Sequence, residues 1–439
     1  MRKFIPIEIS NLISFKEKLL SWASSYSVFS VLDSNGWSGN ENELIIAVGV
    51  LDEMSPSENS FEELKTLHDK KNDWLFGFLS YDLKNEVENL SSKNFDGVGF
   101  PHMHFFQPKY VFLVKGNKLN IGFLPEVSSK KEIENLLQEI NNHNSIAEHP
   151  LPGLKINSRI SEEEYIHTTN KIIEHIRKGD IYEMNYCMEF FAKEVHINPG
   201  EIFQRLNKTS LAPFSSFYRI NNRYLMCASP ERFLKKSREK IISQPIKGTA
   251  RRGKNVSEDV QLKQMLSQNK KEKSENVMIV DLVRNDLSKT CDNVTVDELC
   301  SISTFKQWHQ MISTVSGRIR KGVHFTDVIK NAFPMGSMTG APKVKAMELI
   351  EYYEKTKRGL YSGAVGYITP DGDFDFNVVI RSILYNQTSA YLSFQVGSAI
   401  TANSIPENEY KECFLKANGM FEALSVPHPE PRKKELTLH

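Results

Sequence analysis

Short runs of apolar, β-branched and aromatic residues, broken by polar turns, recur along this chain and restrict its fold more than any other feature. The clearest in the first 150 residues are Leu44-Ile-Ile-Ala-Val48, Trp74-Leu-Phe-Gly-Phe-Leu-Ser-Tyr81 and Tyr110-Val-Phe-Leu-Val114. Runs of this length and composition predict buried strands. Others lie around Ile181 to Phe191, Phe217 to Cys227 and Arg232 to Ile242. Gly363 to Ile368 reads as a glycine-interrupted strand, and Asp371-Gly372 as a hairpin turn into a strand from Phe376 to Leu384.

Helical spacing is confined to a few stretches. Ser161-Glu-Glu-Glu164 reads as a capping box ahead of Tyr165, Thr169, Ile172, Ile173 and Ile176, with Gly179 as the stop. Val256 to Asp286, without proline or glycine, reads as one long helix or two closely joined ones. Further helices are predicted from Pro342 towards Gly359 and from Pro406, where Tyr410, Cys413, Phe414, Ala417 and Phe421 form a packing stripe. Turn-separated strands mixed with these helices predict a large α+β or layered α/β fold rich in antiparallel sheet, not a regular β-α barrel. The Asn-rich stretch from Asn141 to Pro152 is expected to link an N-terminal subdomain, 1–150, to a second region, 151–425, with 426–439 as a flexible tail.

Charge and cysteine usage narrow the function classes. Across 439 residues, 55 Lys and Arg almost cancel 54 Asp and Glu, which removes any bulk electrostatic case for nucleic acid or an anionic membrane. The five cysteines are scattered without a C-x-x-C pair, so reduced thiols are expected rather than a disulfide framework or zinc knot. No signal segment and no run of about 18 apolar residues is visible, which makes the cytoplasm the default compartment.

Four segments concentrate reactive side chains. On the Pro406 helix, Glu409, Glu412 and Lys416 share a face that could hold a hard cation beside an anionic substrate, although the same spacing describes an ordinary solvated face. In Ser274 to Asp286, Glu275 is a candidate magnesium ligand, and Asp281 and Arg284 are expected in an internal ion network, with a structural salt bridge as the equal alternative. In Gln244 to Gly253, Gly248 permits a tight turn, Thr249 supplies a hydroxyl, and Lys247 reads as an electrostatic clamp, an amine nucleophile or a surface lysine. In Asn331 to Lys343, Gly336 and Gly340 precede a helix, and Ser337, Thr339 and Lys343 suggest an anion site, with helix capping as the plain explanation of Thr339.

In this order the segments resemble the chorismate-utilising enzyme family, and within it the aminodeoxychorismate-forming branch. The resemblance spans roughly residues 20 to 425 and rests on LFGFLSYDL at 75–83, GDIYEMNY at 179–186, SPERFL at 229–234, QPIKGTARRG at 244–253, ENVMIVDLVRND at 275–286, FPMGSMTGAPK at 333–343 and PENEYKECFLKA at 406–417. It implies two facing, strongly twisted antiparallel sheets with outer helices, chorismate as substrate and Mg²⁺ as cofactor. Carried over position by position, it implies metal binding by Glu275 and Glu412, with Glu409 in their coordinating or water-mediated shell. Thr249, Tyr361, Arg381, Lys416 and the Gly397 loop would hold the substrate, and His309 and Thr314 would line its ring. Met335, Ala399 and Asn403 depart from the usual glycine, glycine and aspartate of the family.

Two positions select the branch. Lys247 in Pro-Ile-Lys-Gly-Thr matches the aminodeoxychorismate formers, where anthranilate synthases place alanine, and Glu183 stands where isochorismate formers use a water-activating lysine. The implied chemistry has neutral Lys247 attack ring C2 and expel the C4 hydroxyl with acid help from Glu231, after which ammonia enters C4 and expels the lysine. The product would lead to 4-aminobenzoate and folate after a separate lyase. No G-x-C-x-G nucleophile turn is present, so ammonia is expected from a separate glutamine amidotransferase partner. The resemblance also admits a tryptophan-like ligand in the N-terminal sheet near Val31-Leu-Asp-Ser34. An anthranilate synthase, or a non-catalytic regulatory subunit, is the alternative.

Overall fold

The structure is a computed structural model that describes residues 1–37, 39–146, 149, 153–306 and 308–427. Among them, 20 strands join one hydrogen-bonded network in which every strand pairing is antiparallel. The longest ladders are Leu44–Met54 with Met103–Lys115, Cys291–Thr304 with Trp308–Ile319, and Glu183–Ala192 with Tyr391–Ile400.

Two apolar cores fill the layers. One gathers Trp22, Phe112, Tyr165, Phe190, Phe394 and Phe421, and the other Phe76, Phe105, Tyr218, Ile279, Phe333 and Phe376. Each draws on residues from both sides of position 150. The 141–152 link begins as the end of the helix Lys130–Asn142, and its later residues lie in part outside the described set, as do residues 428–439 of the expected tail. The five cysteines are free. No helix among the described residues is long and apolar enough to cross a membrane.

Several predicted helices form with local causes in place. Ser161 accepts from the Glu164 N–H to start Glu162–Lys178, and Gly179, at φ +86°, ends it. The 256–286 stretch is two helices, Val256–Gln268 and Lys270–Ser288, because Asn269 leaves helical geometry and its side chain caps the second. Pro406 occupies the first turn of Pro406–Ala423. Pro342 instead stands just outside its helix, Lys343–Tyr353.

Three predicted strands are each two. Phe217 to Cys227 belongs to the hairpin Phe214–Ile220 and Arg223–Ser229, turned at Asn221, whose φ of 52° asparagine tolerates. Arg232 to Ile242 is the hairpin Arg232–Ser237 and Lys240–Gln244, turned at Arg238 with φ 55° and no glycine or asparagine to announce it. The expected Phe376 to Leu384 strand breaks between Phe374–Asn377 and Ser382–Asn386. There the N–H groups of Val378 and Val379 turn to the Glu231 and Gly363 carbonyls, and Arg381 adopts φ 53°.

Candidate functional site

Lys247 stands on a bulge. The strand Ile246–Arg251 pairs with Trp308–Ile319 through Ile246 and Thr249, and the extra residue between them re-aims Lys247 inward. Gly248 follows at φ +88°, a conformation costly for other residues. The ammonium of Lys247 is buried and donates to Glu183 Oε1 at 2.7 Å. Burial alone would lower its pKa, but the carboxylates of Glu183, Glu275 and Glu231 outweigh it, so the lysine is held firmly protonated. The neutral amine expected from the sequence is therefore not the resting form, because three buried acids favour the ammonium.

Glu183 begins the strand Glu183–Ala192 and is held there by close backbone approach. A Cβ at Gly340 would lie 2.1 Å from the Glu183 carbonyl, so only glycine permits the pairing of 340–341 with 183–184. That pairing also delivers the Ser337 hydroxyl, which donates to Glu231 Oε1 at 2.6 Å. Burial raises Glu231 to about 7, despite the Ser337 hydrogen bond and the charge of Lys247. A cavity of about 330 Å³ borders Glu231, Pro245, Gly336 and Ser337.

In the Asn331 to Lys343 segment the side chains offered for an anion already have protein partners. Lys343 pairs with buried Asp286, Ser337 serves Glu231, and Thr339 donates to the Met335 carbonyl at 3.2 Å instead of capping the helix after it. Asp281 and Arg284 form an exposed ion pair at 3.0 Å, not an internal network, because they lie on the solvent face of Lys270–Ser288.

The acidic set lies alongside Lys247. Lys271, which the sequence reading passed over, reaches Glu409 at 3.2 Å and Glu275 at 3.8 Å. Glu275 Oε1 and Glu409 Oε2 are buried without a hydrogen-bond partner, and burial lifts Glu275 to about 7 even with Lys247 close by. Orphaned anionic oxygens around a lysine ammonium are the donor chemistry a hard divalent cation takes. Glu412 turns outward to Lys416 at 2.7 Å, and the three carboxylates do not meet within 4.8 Å of one another.

Cationic groups close the far side. Lys416 Nζ donates to the Gly397 carbonyl at 2.8 Å, and Arg381 donates to the Lys416 carbonyl at 2.8 Å. No carboxylate among the described residues pairs with Arg381, and burial holds its guanidinium below the usual arginine range. Tyr361 is buried, with its hydroxyl 3.7 Å from Cys187 Sγ. Thr249 is exposed, two residues beyond Lys247 on the same strand.

His309 and Thr314 are not brought to one ligand. Their strand is regular, so positions five apart face opposite sides. His309 spends its ring nitrogens on Thr304 at 3.0 Å and Asp259 at 3.1 Å, while the Thr314 hydroxyl lies 3.3 Å from both Gln244 and Glu298. Arg358 is a further site residue, one that no sequence motif marks. It is buried, pairs with Glu354 at 2.6 Å and donates to the Met338 and Asn185 carbonyls, tying the 336–340 segment to the Glu183 strand. From sequence that pair reads as an ordinary i, i+4 surface contact.

The site combines a buried lysine, two carboxyl groups raised by burial and an arginine that meets no carboxylate among the described residues. The sequence matches the chorismate binding enzyme family over residues 36–422, and the chain belongs to that family. It is 33% identical over 354 residues to the anthranilate synthase component I-like protein of Synechocystis, covering 80% of this chain and 72% of that one. Against aminodeoxychorismate synthase component 1 of Bacillus subtilis it is 30% identical over 368 residues, covering 81% and 78%. The solved structure of anthranilate synthase component I from Streptococcus pneumoniae superposes with a TM-score of 0.74 at 25% identity, over 95% of this chain and 92% of that one.

Proposed function

We propose that the chain is an aminodeoxychorismate synthase component I, which converts chorismate and ammonia to 4-amino-4-deoxychorismate. The observation that carries this reading is the buried Lys247–Glu183 pair facing Glu231, an amine with a proton acceptor on one side and a proton donor on the other. Lys247 passes its proton to Glu183, and the neutral amine attacks ring C2. The double bond shifts, and the C4 hydroxyl leaves as water with the proton of Glu231. Ammonia then attacks C4 and gives a proton to Glu231, the double bond returns, and the departing lysine recovers its proton from Glu183. Atoms balance as chorismate plus ammonia giving product plus water.

Arg381 suits a planar contact with a substrate carboxylate, and Lys416 beside Gly397 adds a compact charge. Glu275 and Glu409, with Glu412 turned inward, would hold Mg²⁺ once Lys271 withdraws, and the ion would neutralise a ring carboxylate. The tryptophan-like ligand that the resemblance admits would lie at the open groove bordered by Asp33, Ser34, Pro213, Tyr367 and Asn377.

Product analysis with chorismate, Mg²⁺ and ammonium tests the reading: 4-amino-4-deoxychorismate is expected. Anthranilate would favour the activity named for the Synechocystis and Streptococcus relatives, and isochorismate would reject both. We further propose a separate glutamine amidotransferase as the ammonia source. Purified chain should then turn over with ammonium and stay inactive with glutamine, and efficient use of glutamine alone would refute the partner.

Glu231 sets a pH limb. Its protonated form is the acid, so the rate of adduct formation in single turnover without ammonia should fall about tenfold per pH unit above about 7. Glu231→Gln should lower that rate by roughly 10²- to 10⁴-fold and remove the limb. A limb that persists unchanged in Glu231→Gln would assign it to another group.

A further inference from the structure

The helix Ser60–Lys71 packs against Phe325–Ala332 through a contact that the chorismate chemistry does not use. At that contact His68, Asp69 and His324 each place one potential ligand atom within 4.8 Å of the other two. Asp69 Oδ1 lies 3.5 Å from His68 Nδ1 and 3.4 Å from His324 Nε2. Those separations are long for N–H···O hydrogen bonds. They do match the edge of a tetrahedron, about 3.3–3.4 Å, that nitrogen and oxygen ligands form at zinc bond lengths of about 2.0–2.1 Å.

The tautomer of His68 sharpens the case. His68 Nε2 lies 3.0 Å from the Thr369 carbonyl, which only accepts, so Nε2 carries the proton and the neutral ring presents a bare lone pair at Nδ1. The His68 side chain is 9% exposed, and its Nδ1 is buried without a hydrogen-bond partner. A lone pair aimed at a carboxylate oxygen is unfavourable until a cation or a second proton lies between them. A ring held by a backbone carbonyl through its far nitrogen is also the common outer support of a metal-bound histidine. His324 offers the same arrangement: its Nδ1 lies 2.8 Å from Thr326 Oγ1, which can take the ring proton and leave Nε2 to ligate. The opposite tautomer, in which Nδ1 accepts from the Thr326 N–H, uses a longer contact of 3.3 Å. Asp69 is 57% exposed, so an ion can enter and water can complete its coordination.

We propose that His68 Nδ1, Asp69 Oδ1 and His324 Nε2 form a second divalent-metal site, of the zinc and cobalt class, that clamps the Ser60–Lys71 helix to the start of Phe325–Ala332. Two imidazoles and one carboxylate favour a borderline transition ion over Mg²⁺, which prefers oxygen alone. None of the three residues belongs to the Lys247 cleft, so this site stands or falls apart from the proposed reaction.

Full-length chain stripped by a chelator and titrated with Co²⁺ tests the site. Wild type should develop the visible d–d absorption of a four- or five-coordinate cobalt centre, distinct from the pale spectrum expected of an oxygen-only carboxylate site. His68→Gln and His324→Gln should abolish the band, and Asp69→Asn should weaken Co²⁺ binding at least about tenfold. As a second readout, Zn²⁺ at about 100 times its Kd should raise the wild-type Tm by about 3 °C and leave that of His324→Gln unchanged. His324 is partly exposed, so this variant is expected to fold. No band in wild type, or a band and a Zn²⁺ shift undiminished in both histidine variants, would overturn the site.

Discussion

Lys247→Ala is expected to suppress formation of 4-amino-4-deoxychorismate by on the order of 10³-fold or more, a barrier increase of at least about 4 kcal/mol. The amine is the proposed nucleophile, and it is Lys247 that donates to Glu183. Chorismate binding should survive, because Arg381 and Lys416 lie apart from the substitution. With the blocking amine gone, ammonia could attack C2 directly, so an anthranilate-type intermediate is the side product to watch for.

Stability gives a second reading of the same variant. Removing one partner of a buried pair leaves Glu183, fully buried, as an uncompensated charge, which costs about 3–5 kcal/mol. Lys247→Ala combined with Glu183→Gln should therefore melt higher than Lys247→Ala alone while remaining inactive. Undiminished C4 amination by Lys247→Ala, with no lysine adduct trapped in wild type by mass spectrometry, would rule out covalent catalysis.

Glu275→Gln and Glu409→Gln should each weaken Mg²⁺-supported turnover severely, by more than the roughly 10- to 100-fold that loss of an outer-shell partner costs a metal site. Each amide keeps the shape of the side chain and removes an anionic oxygen that is buried and unpartnered. Glu412→Gln should act similarly if its carboxylate leaves Lys416 to join the ion. The metal-free chain should separate the two: Glu409→Gln breaks the 3.2 Å ion pair with Lys271 and should lower the Tm, whereas Glu275→Gln removes a carboxyl 3.8 Å from Lys271 and should change it less. Activity titrated against Mg²⁺, with melting followed in chelator, measures both effects. Unchanged Mg²⁺ dependence in all three variants would reject the ligand assignment.

The chain's own letters carried the chemistry further than the geometry. Lys247, Glu231, Glu275 and Glu409 are legible as candidates because each sits in a short motif, and folding brings them into one neighbourhood of charges, Glu231 and Glu275 beside Lys247 and Glu409 joined to Glu275 through Lys271. Glu183 was visible as a branch marker, but its hydrogen bond to Lys247 joins residues 64 positions apart and leaves no mark on either motif. Lys271 is one more lysine in a charged helix until folding brings Glu409 against it, 138 positions on. His309 and Thr314 looked like a pair because they share a motif, and strand alternation sends them to opposite faces. Arg238 turns a hairpin that no glycine or asparagine announced, since the pairing of its two strands outweighs local preference.

Local sequence therefore determined the antiparallel character, the helix starts at Ser161 and Pro406, and which side chains are candidates for chemistry, because strand runs, caps and motifs act over a few residues. Tertiary structure alone decided which charge faces which. Lys247 is held protonated because three acids from distant segments surround it, Lys343 is spent on Asp286, and Arg381 meets a backbone carbonyl but no carboxylate among the described residues. Each outcome depends on burial and on distances of a few ångströms between residues far apart in the chain, which no local pattern encodes.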